Sequence, residues 1–317
     1  MTAPIIAAAG LRIAFGPVEV VRGVDLQIGR GEAVGLVGES GSGKSMTALG
    51  LMRLLPRGAH VTGVDVRLEG RSLLTLSERA MTGVRGREIA MIFQDPLTAL
   101  NPAFTIGRQL SDAVRAHAPL GRRAATDRAA ELLDMVGIPA PRTRLLAYPH
   151  EFSGGMRQRV AIAIAVACQP KLLIADEPTT ALDVTVQAQV IDLLARLRED
   201  LGIAILFISH NLDLVAEICD RVVVMYAGAV AEADEVHALF GRPRHPYTQQ
   251  LLRCIPRLSD GRGTMPTIPG APPRAGVRLE GCAFAPRCEY AFDRCRAQTP
   301  PPYLGSGDQV ACWLAGL

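Results

Sequence analysis

With 317 residues and 49% apolar side chains, the chain can bury a full core of one large or two modest domains, which excludes a disordered or low-complexity protein. No run approaches the roughly eighteen uninterrupted apolar residues that span a bilayer, so any work at a membrane falls to a peripheral subunit. A net charge of +3 without a lysine or arginine block argues against nucleic acid as the main partner. Met1 to Gly10 is apolar but lacks a basic flank and a cleavage site, so no signal peptide is expected.

Ala33–Val37 predicts a buried strand, and Gly38-Glu39-Ser40-Gly41-Ser42-Gly43-Lys44-Ser45 follows it directly. Lys44–Leu55 then has helical spacing. Strand, glycine loop and helix in that order make a phosphate loop: Gly38, Gly41 and Gly43 let the backbone wrap phosphates with successive N–H groups, with Ser40 and Ser42 between them. The helix N-terminus adds a favourable dipole. Lys44 is placed to reach the β- and γ-phosphates, and the Ser45 hydroxyl to ligate Mg²⁺.

Ile89–Phe93 predicts the next strand, with Gln94 just after it. From about residue 95 to 159 the chain carries helical patterns such as Ala124–Val136 and no good strand, which predicts a helical subdomain inserted between core strands. Near its end, Phe152-Ser153-Gly154-Gly155-Met156-Arg157-Gln158-Arg159 precedes the helical run Met156–Ala167. Serine and two glycines at a helix start make a second anion-binding surface; alone, the same residues read as an N-cap with a flexible turn.

Leu172–Ala175 predicts a buried strand that delivers Asp176 and Glu177 at its C-terminal end, where α/β sheets place their ligands. Asp176 suits a Mg²⁺ shell and Glu177 the attacking water. Val186–Leu197 reads as a helix, and Ile203–Ile208 and Val222–Met225 as strands. The alternation predicts an α/β fold with a twisted, mostly parallel sheet.

Beyond about Gly241, proline, glycine, arginine and cysteine dominate through Pro302. Of the seven cysteines, Cys168, Cys219 and Cys254 are scattered and expected as small core hydrophobes. Cys282, Cys288, Cys295 and Cys312 fall within the last 36 residues, at intervals of five, six and sixteen residues. Disulfides are rare in the cytosol, so the cluster points first to metal. The spacing lacks the Cys-x-x-Cys hooks of structural zinc, and four thiolates suit a [4Fe–4S] cluster, with zinc or reduced thiols as alternatives. Too poor in aliphatic residues to fold on packing alone, the tail reads as a separate small module.

Taken in order, these motifs resemble the ATP-binding cassette (ABC) family over roughly residues 5 to 255. Gln94 after a strand, Ala181-Leu182-Asp183 after the acidic pair, and His210 at the end of Ile203–Ile208 complete the register. The resemblance implies a P-loop NTPase core at 1–250, with the helical subdomain at about 95–159 and the cysteine-rich module at 251–317. It implies that Gln94 senses Mg²⁺ and the γ-phosphate, that His210 contacts the γ-phosphate and the attacking water, and that Asp183 lies at a dimer seam. Phe15 resembles the aromatic that stacks on adenine. In a head-to-tail pair, Ser153, Gly154 and Gly155 complete the partner's ATP site. Met156 stands where many cassettes carry glutamine, so a polar contact there is not implied.

The finer resemblance is to the ATPases of oligopeptide and dipeptide importers. It is carried by the stretches from Met91 to Pro102, Tyr148 to Arg159, His245 to Gln249 and Gly281 to Cys288. It implies an ATP-hydrolysing subunit that energises peptide uptake from the cytoplasmic face of the cell (inner) membrane. Implied partners are a second, different ATPase subunit, two transmembrane permease subunits and an extracytoplasmic substrate-binding protein, without nucleic acid. Some ATPases of that kind carry a [4Fe–4S] cluster. Importers of nickel chelates, glutathione, opines or sugars are alternatives, and a non-transport or exporter cassette is a more distant one.

Overall fold

The computed structural model describes residues 3–95, 99–180, 182–255, 267–274, 276–277, 279–305 and 308–316. They form two compact units: a helix-rich unit, chiefly Thr75–Leu206, and a sheet-rich unit of Ile6–Gln27, Ala33–Leu74 and Phe207–Leu317.

The sheet-rich unit opens with β1 (Ile6–Phe15) and β2 (Val18–Ile28). On β1 the buried positions are Ile6, Ala8, Leu11 and Ile13, so the two-residue alternation slips once. Gly10, at φ +57°, absorbs the slip as a bulge does. The two halves of β1 accordingly pair with different antiparallel strands: Ile6 to Ala9 with β5 (Asp65–Leu68), and Arg12 to Phe15 with β4 (Ala59–Thr62). The two-residue β6 (Arg71–Ser72) pairs with β5. Between β2 and β4 come β3 (Ala33–Val37), buried at every position, and α1 (Lys44–Leu51). This antiparallel sheet was not foreseen in the sequence, because β4 to β6 are short, partly exposed and carry no continuous apolar run.

In the helix-rich unit, α2 (Glu78–Val84) and β7 (Ile89–Ile92) lead into α3 (Ile106–Arg115), α4 (Arg122–Met135), α5 (Pro141–Arg144) and α6 (Gly154–Val166). Among the described residues from 99 to 159 there is no strand. Then follow β8 (Leu172–Asp176), α7 (Val184–Leu201) and β9 (Ala204–Ile208). β7 and β8 are parallel, Ile89 opposite Leu172 through Ile92 opposite Ala175. Val160, Ile162, Ala163 and Val166 of α6 are buried on several sides, and β8 is buried throughout, as its unbroken apolar run demands.

The chain re-enters the sheet-rich unit with α8 (Leu212–Ile218), β10 (Arg221–Tyr226), β11 (Ala229–Glu235), α9 (Val236–Gly241) and α10 (Pro246–Arg253). The tail adds α11 (Asp293–Ala297), β12 (Tyr303–Leu304) and β13 (Gln309–Val310). β10 runs parallel to β3, but β11, β13 and β12 are added antiparallel. The fold is therefore mixed α/β rather than mostly parallel.

The tail does not stand alone. It docks β13 on β11 and keeps a small core of Ala285, Cys295 and Trp313. Arg244 ties the two together by reaching Glu232 and Asp234 of β11 and Asp308 beside β13. Glu232 is fully buried and accepts from the backbone N–H groups of Arg244 and His245; burial pushes its carboxyl up. His245 caps α10 through Nδ1, and desolvation pushes its pKa down to about 4, so it is neutral at pH 7. Cys219 is buried as expected, whereas Cys168 and Cys254 are only half-buried. Among the described residues no helix is long and apolar enough to cross a membrane.

Candidate functional site

Gly38 follows the end of β3, and its φ of +149° is open only to glycine. A Cβ there would lie 2.2 Å from the Met225 carbonyl oxygen and 2.8 Å from Ser42 Oγ. At the loop's far end Gly43, at φ +101°, caps α1, and its absent Cβ lets it pass the Val20 carbonyl. The Gly38–Ser45 segment is thus a tight backbone cradle in which Gly38 and Gly43 are sterically required, while Gly41 supplies a positive φ of +79°. Lys44 is 6% exposed and folds back over it, donating to the carbonyls of Gly38 at 2.7 Å and Glu39 at 3.1 Å. Ser42 Oγ is buried without a hydrogen-bond partner among the described residues. A buried hydroxyl left so costs free energy unless a ligand meets it, and a phosphate oxygen fits that need. Ser45 lies in the first turn of α1, Phe15 ends β1 half-buried, and His210 lies exposed beyond β9 in the same sheet-rich unit.

In the helix-rich unit, Asp176 ends β8 and is 5% exposed. The next residue, Glu177, has φ +47°, a left-handed conformation that costs a non-glycine residue about 1 kcal/mol or more. Two donors fix its carboxylate: Gln94 Nε2 and Thr180 Oγ1 both reach Glu177 Oε2 at 3.0 Å. Sequence reasoning named Gln94 and Glu177 but missed Thr180, which carries no signal until the turn after β8 folds it back.

The Phe152–Arg159 segment folds as an N-terminus. Ser153 is the N-cap of α6, its Oγ accepting from Met156 N at 3.3 Å, and Ser153 and Gly154 are exposed. Gly155 faces α7, where a Cβ would come 2.6 Å from Val186 Cγ1. Asp183 caps α7 by accepting from Val186 N at 3.0 Å, a local role that its sequence position alone did not suggest. Ala181 lies outside the described residues.

Cys282, Cys288, Cys295 and Cys312 all line one small cavity, with Phe284 and Trp313 also on its wall. Burial pushes the thiols of Cys282, Cys288 and Cys312 up, and negative charge on the neighbouring thiols would raise them further. The metal centre that the sequence predicts at these cysteines is not supported by the structure. Among the described residues no group of three or more His, Cys, Asp or Glu side chains is placed to hold a metal ion.

The family model for ABC transporters matches residues 21–180, a span that contains the phosphate loop, the α6 N-terminus and the β8 acids. A "Probable peptide ABC transporter ATP-binding protein" of Sinorhizobium fredii is 50% identical over 305 residues, covering 94% of this chain and 91% of that protein. The chain belongs to the ABC transporter family. It is an ATPase cassette of that family, and a second model, for the C-terminal region of oligopeptide/dipeptide transporters, matches its residues 231–295. The dipeptide transport ATP-binding protein of Escherichia coli is 47% identical to the cassette over 307 residues, covering 95% of this chain and 94% of that one. Among solved structures, the ATP-binding cassette MJ0796, a dimer in a post-hydrolysis state with ADP and Pi, superposes with a TM-score of 0.64 at 25% identity. That alignment covers 73% of this cassette and 98% of the other chain.

Proposed function

We propose that this cassette hydrolyses ATP at the cytoplasmic face of the cell membrane to energise the uptake of di- and oligopeptides. The observation that carries the peptide reading is the pairing, in one chain, of the ABC transporter match with the oligopeptide/dipeptide C-terminal region that follows it. Its relatives named for peptide and dipeptide transport support the same reading. In it, residues 1–250 are the nucleotide-binding domain and 251–317 the C-terminal module.

The loop Gly38, Ser40, Gly41, Ser42 and Gly43 wraps the phosphates with backbone N–H groups, and Lys44 leaves the carbonyls of Gly38 and Glu39 to pair with the β- and γ-phosphates. Phe15 offers its ring to adenine. Ser45, Asp176 and Gln94 carry the oxygen donors that would hold a Mg²⁺ ion, which would supply positive charge to offset that of the phosphates. Glu177 accepts a proton from the attacking water, whose oxygen bonds the γ-phosphorus as the bond to the ADP oxygen breaks. Gln94 and Thr180 hold the carboxylate for that step. His210 contacts the γ-phosphate and the same water. Ser153, Gly154 and Gly155, at the exposed start of α6, serve the ATP of a second cassette, with Asp183 at the seam. The partners are that second ATPase subunit, two permease subunits and an extracytoplasmic binding protein.

Four cysteines along one cavity are the number of ligands that a [4Fe–4S] cluster takes, and that count supports the cluster reading. A [4Fe–4S] group there would supply cross-links between Cys282, Cys288, Cys295 and Cys312, stapling the tail.

The test is reconstitution of the assembled transporter in vesicles. Peptide-loaded binding protein should stimulate ATP hydrolysis and drive labelled peptide inward. Stimulation by a nickel chelate, glutathione or a sugar, with peptides inert, would transfer the assignment to that solute.

A further inference from the structure

Glu39 is a carboxylate in the middle of a loop built to receive a polyanion, and the sheet-rich unit deals with it through the C-terminal module. Arg287, 248 residues later, lays its guanidinium fork on that carboxylate: NH1 to Oε2 at 2.6 Å and NH2 to Oε1 at 2.9 Å. The Arg287 side chain is 5% exposed and that of Glu39 25%, so the pair is largely withdrawn from water. All five guanidinium donors have acceptors, because Nε reaches the Pro269 carbonyl, NH2 also the Ile268 carbonyl and NH1 also the Tyr226 hydroxyl. A bidentate, fully satisfied pair of this kind is the strong and geometrically selective form of ion pair.

The backbone of Glu39 is held as firmly. Its N–H donates to the buried Tyr247 hydroxyl at 2.9 Å, and its carbonyl accepts from Ser42 N and from Lys44 Nζ. Phe284, five ångströms from both Tyr226 and Tyr247 (5.2 and 5.3 Å between ring centroids), packs the module's Cys282–Cys288 turn against these anchors. A continuous chain of contacts thus runs from the residue beside Cys288 to the lysine of the phosphate loop.

We propose that Arg287 is a positioning residue of the ATP site: it fixes the phosphate loop through Glu39 and cancels that carboxylate's charge, so the C-terminal module sets nucleotide affinity. Without Arg287, the Glu39 carboxylate repels the phosphates and the loop loses its outer clamp. With Glu39 also neutral, the repulsion disappears.

The experiment is fluorescent-ATP titration of the full chain with Arg287→Ala, Glu39→Gln and the double variant, and ATP kinetics of the same variants in the assembled transporter. Arg287→Ala should weaken ATP binding about tenfold, raising KM with little change in kcat, and the loss should shrink in high salt. Adding Glu39→Gln should bring affinity back to within about threefold of the parent. Arg287→Lys, which keeps the charge but not the fork, should fall between parent and Arg287→Ala, and it serves if Arg287→Ala misfolds. Unchanged ATP affinity in a folded Arg287→Ala chain overturns the proposal. So does a loss that Glu39→Gln leaves uncorrected, which would reduce Arg287 to a packing role. ATP affinity is read without any transported solute, so the outcome is independent of the peptide assignment.

Discussion

The side-chain amide of Gln94 donates to the Glu177 carboxylate at 3.0 Å, joining residues 83 positions apart, one after β7 and the other after β8. Glu177 holds this position with a left-handed backbone, a strain that persists because Gln94 and Thr180 both fix the carboxylate. The arrangement suits a base whose carboxylate must be held in one orientation. Glu177→Gln keeps the size of the side chain and removes the proton acceptor. Steady-state ATPase of the assembled transporter should fall at least about a hundredfold while ATP binding survives. The variant should also accumulate as a nucleotide-bridged dimer by size-exclusion chromatography. Near-normal turnover would remove Glu177 from the proton-transfer step.

The close approach of α6 to α7 gives a prediction about stability. At Gly155 an added methyl would sit 2.6 Å from Val186 Cγ1. Valine on a helix has one strongly preferred χ1 rotamer, so it cannot swing away cheaply. Alanine's better helix propensity is worth at most about 1 kcal/mol, and the overlap should outweigh it. Gly155→Ala should lower unfolding stability by about 1–2 kcal/mol, read as a lower urea midpoint at unchanged slope. Val186→Ala added to it should restore most of that loss, and no recovery would place the strain elsewhere.

Continuous apolar runs and glycine loops were legible in the sequence because they are local. β3 and β8, the Gly38–Ser45 loop and the α6 start at Ser153 fall where their residues predict. β4 to β6 were not legible, since half-exposed strands of four residues or fewer hold no periodicity to read. Nor could the partners of Glu39 be read. A carboxylate between glycine and serine looks like a solvated loop residue until the fold brings Arg287 and Tyr247 to it. The cysteines were legible as a cluster but not as a geometry: they line one cavity, and among the described residues no group of three or more is placed to hold a metal ion.

Lys44 and Ser153 should separate cleanly in binding measurements. Lys44 closes over its own phosphate loop, so Lys44→Ala should abolish ATP binding by the chain that carries it. Ser153 caps α6 in the other unit and is exposed there. Ser153→Ala should leave ATP affinity of the isolated chain within about threefold and cost the helix about 1 kcal/mol as a lost cap. Its hydrolysis defect should emerge only in the dimeric transporter. Equal loss of monomer affinity in the two variants would refute a site shared between cassettes.

The thiol cavity carries the last prediction. Ordering the tail costs roughly 1–2 kcal/mol per residue in backbone entropy. Against that stand, among the described residues, the two-residue pairing of β13 on β11, the Arg244 and Arg287 ion pairs, a small core of Ala285, Cys295 and Trp313 with three half-buried neighbours, and the buried Phe284 and Val310. A cluster bound by four thiolates would add its ligand-binding free energy directly to folding. Anaerobically purified protein should therefore be brown, with broad visible absorbance and stoichiometric iron and acid-labile sulfide. Serine at any one of Cys282, Cys288, Cys295 or Cys312 should bleach it and open the tail to protease. ATP binding should persist, because Lys44 belongs to the loop between β3 and α1, but weakened, because the loosened module no longer holds Arg287 against Glu39. Colourless protein with one tightly bound zinc would mean that the thiols close on a single ion. A protease-resistant tail that contains neither would mean that the pairing with β11 and the two arginines suffice, and the cluster would drop out of the account of folding.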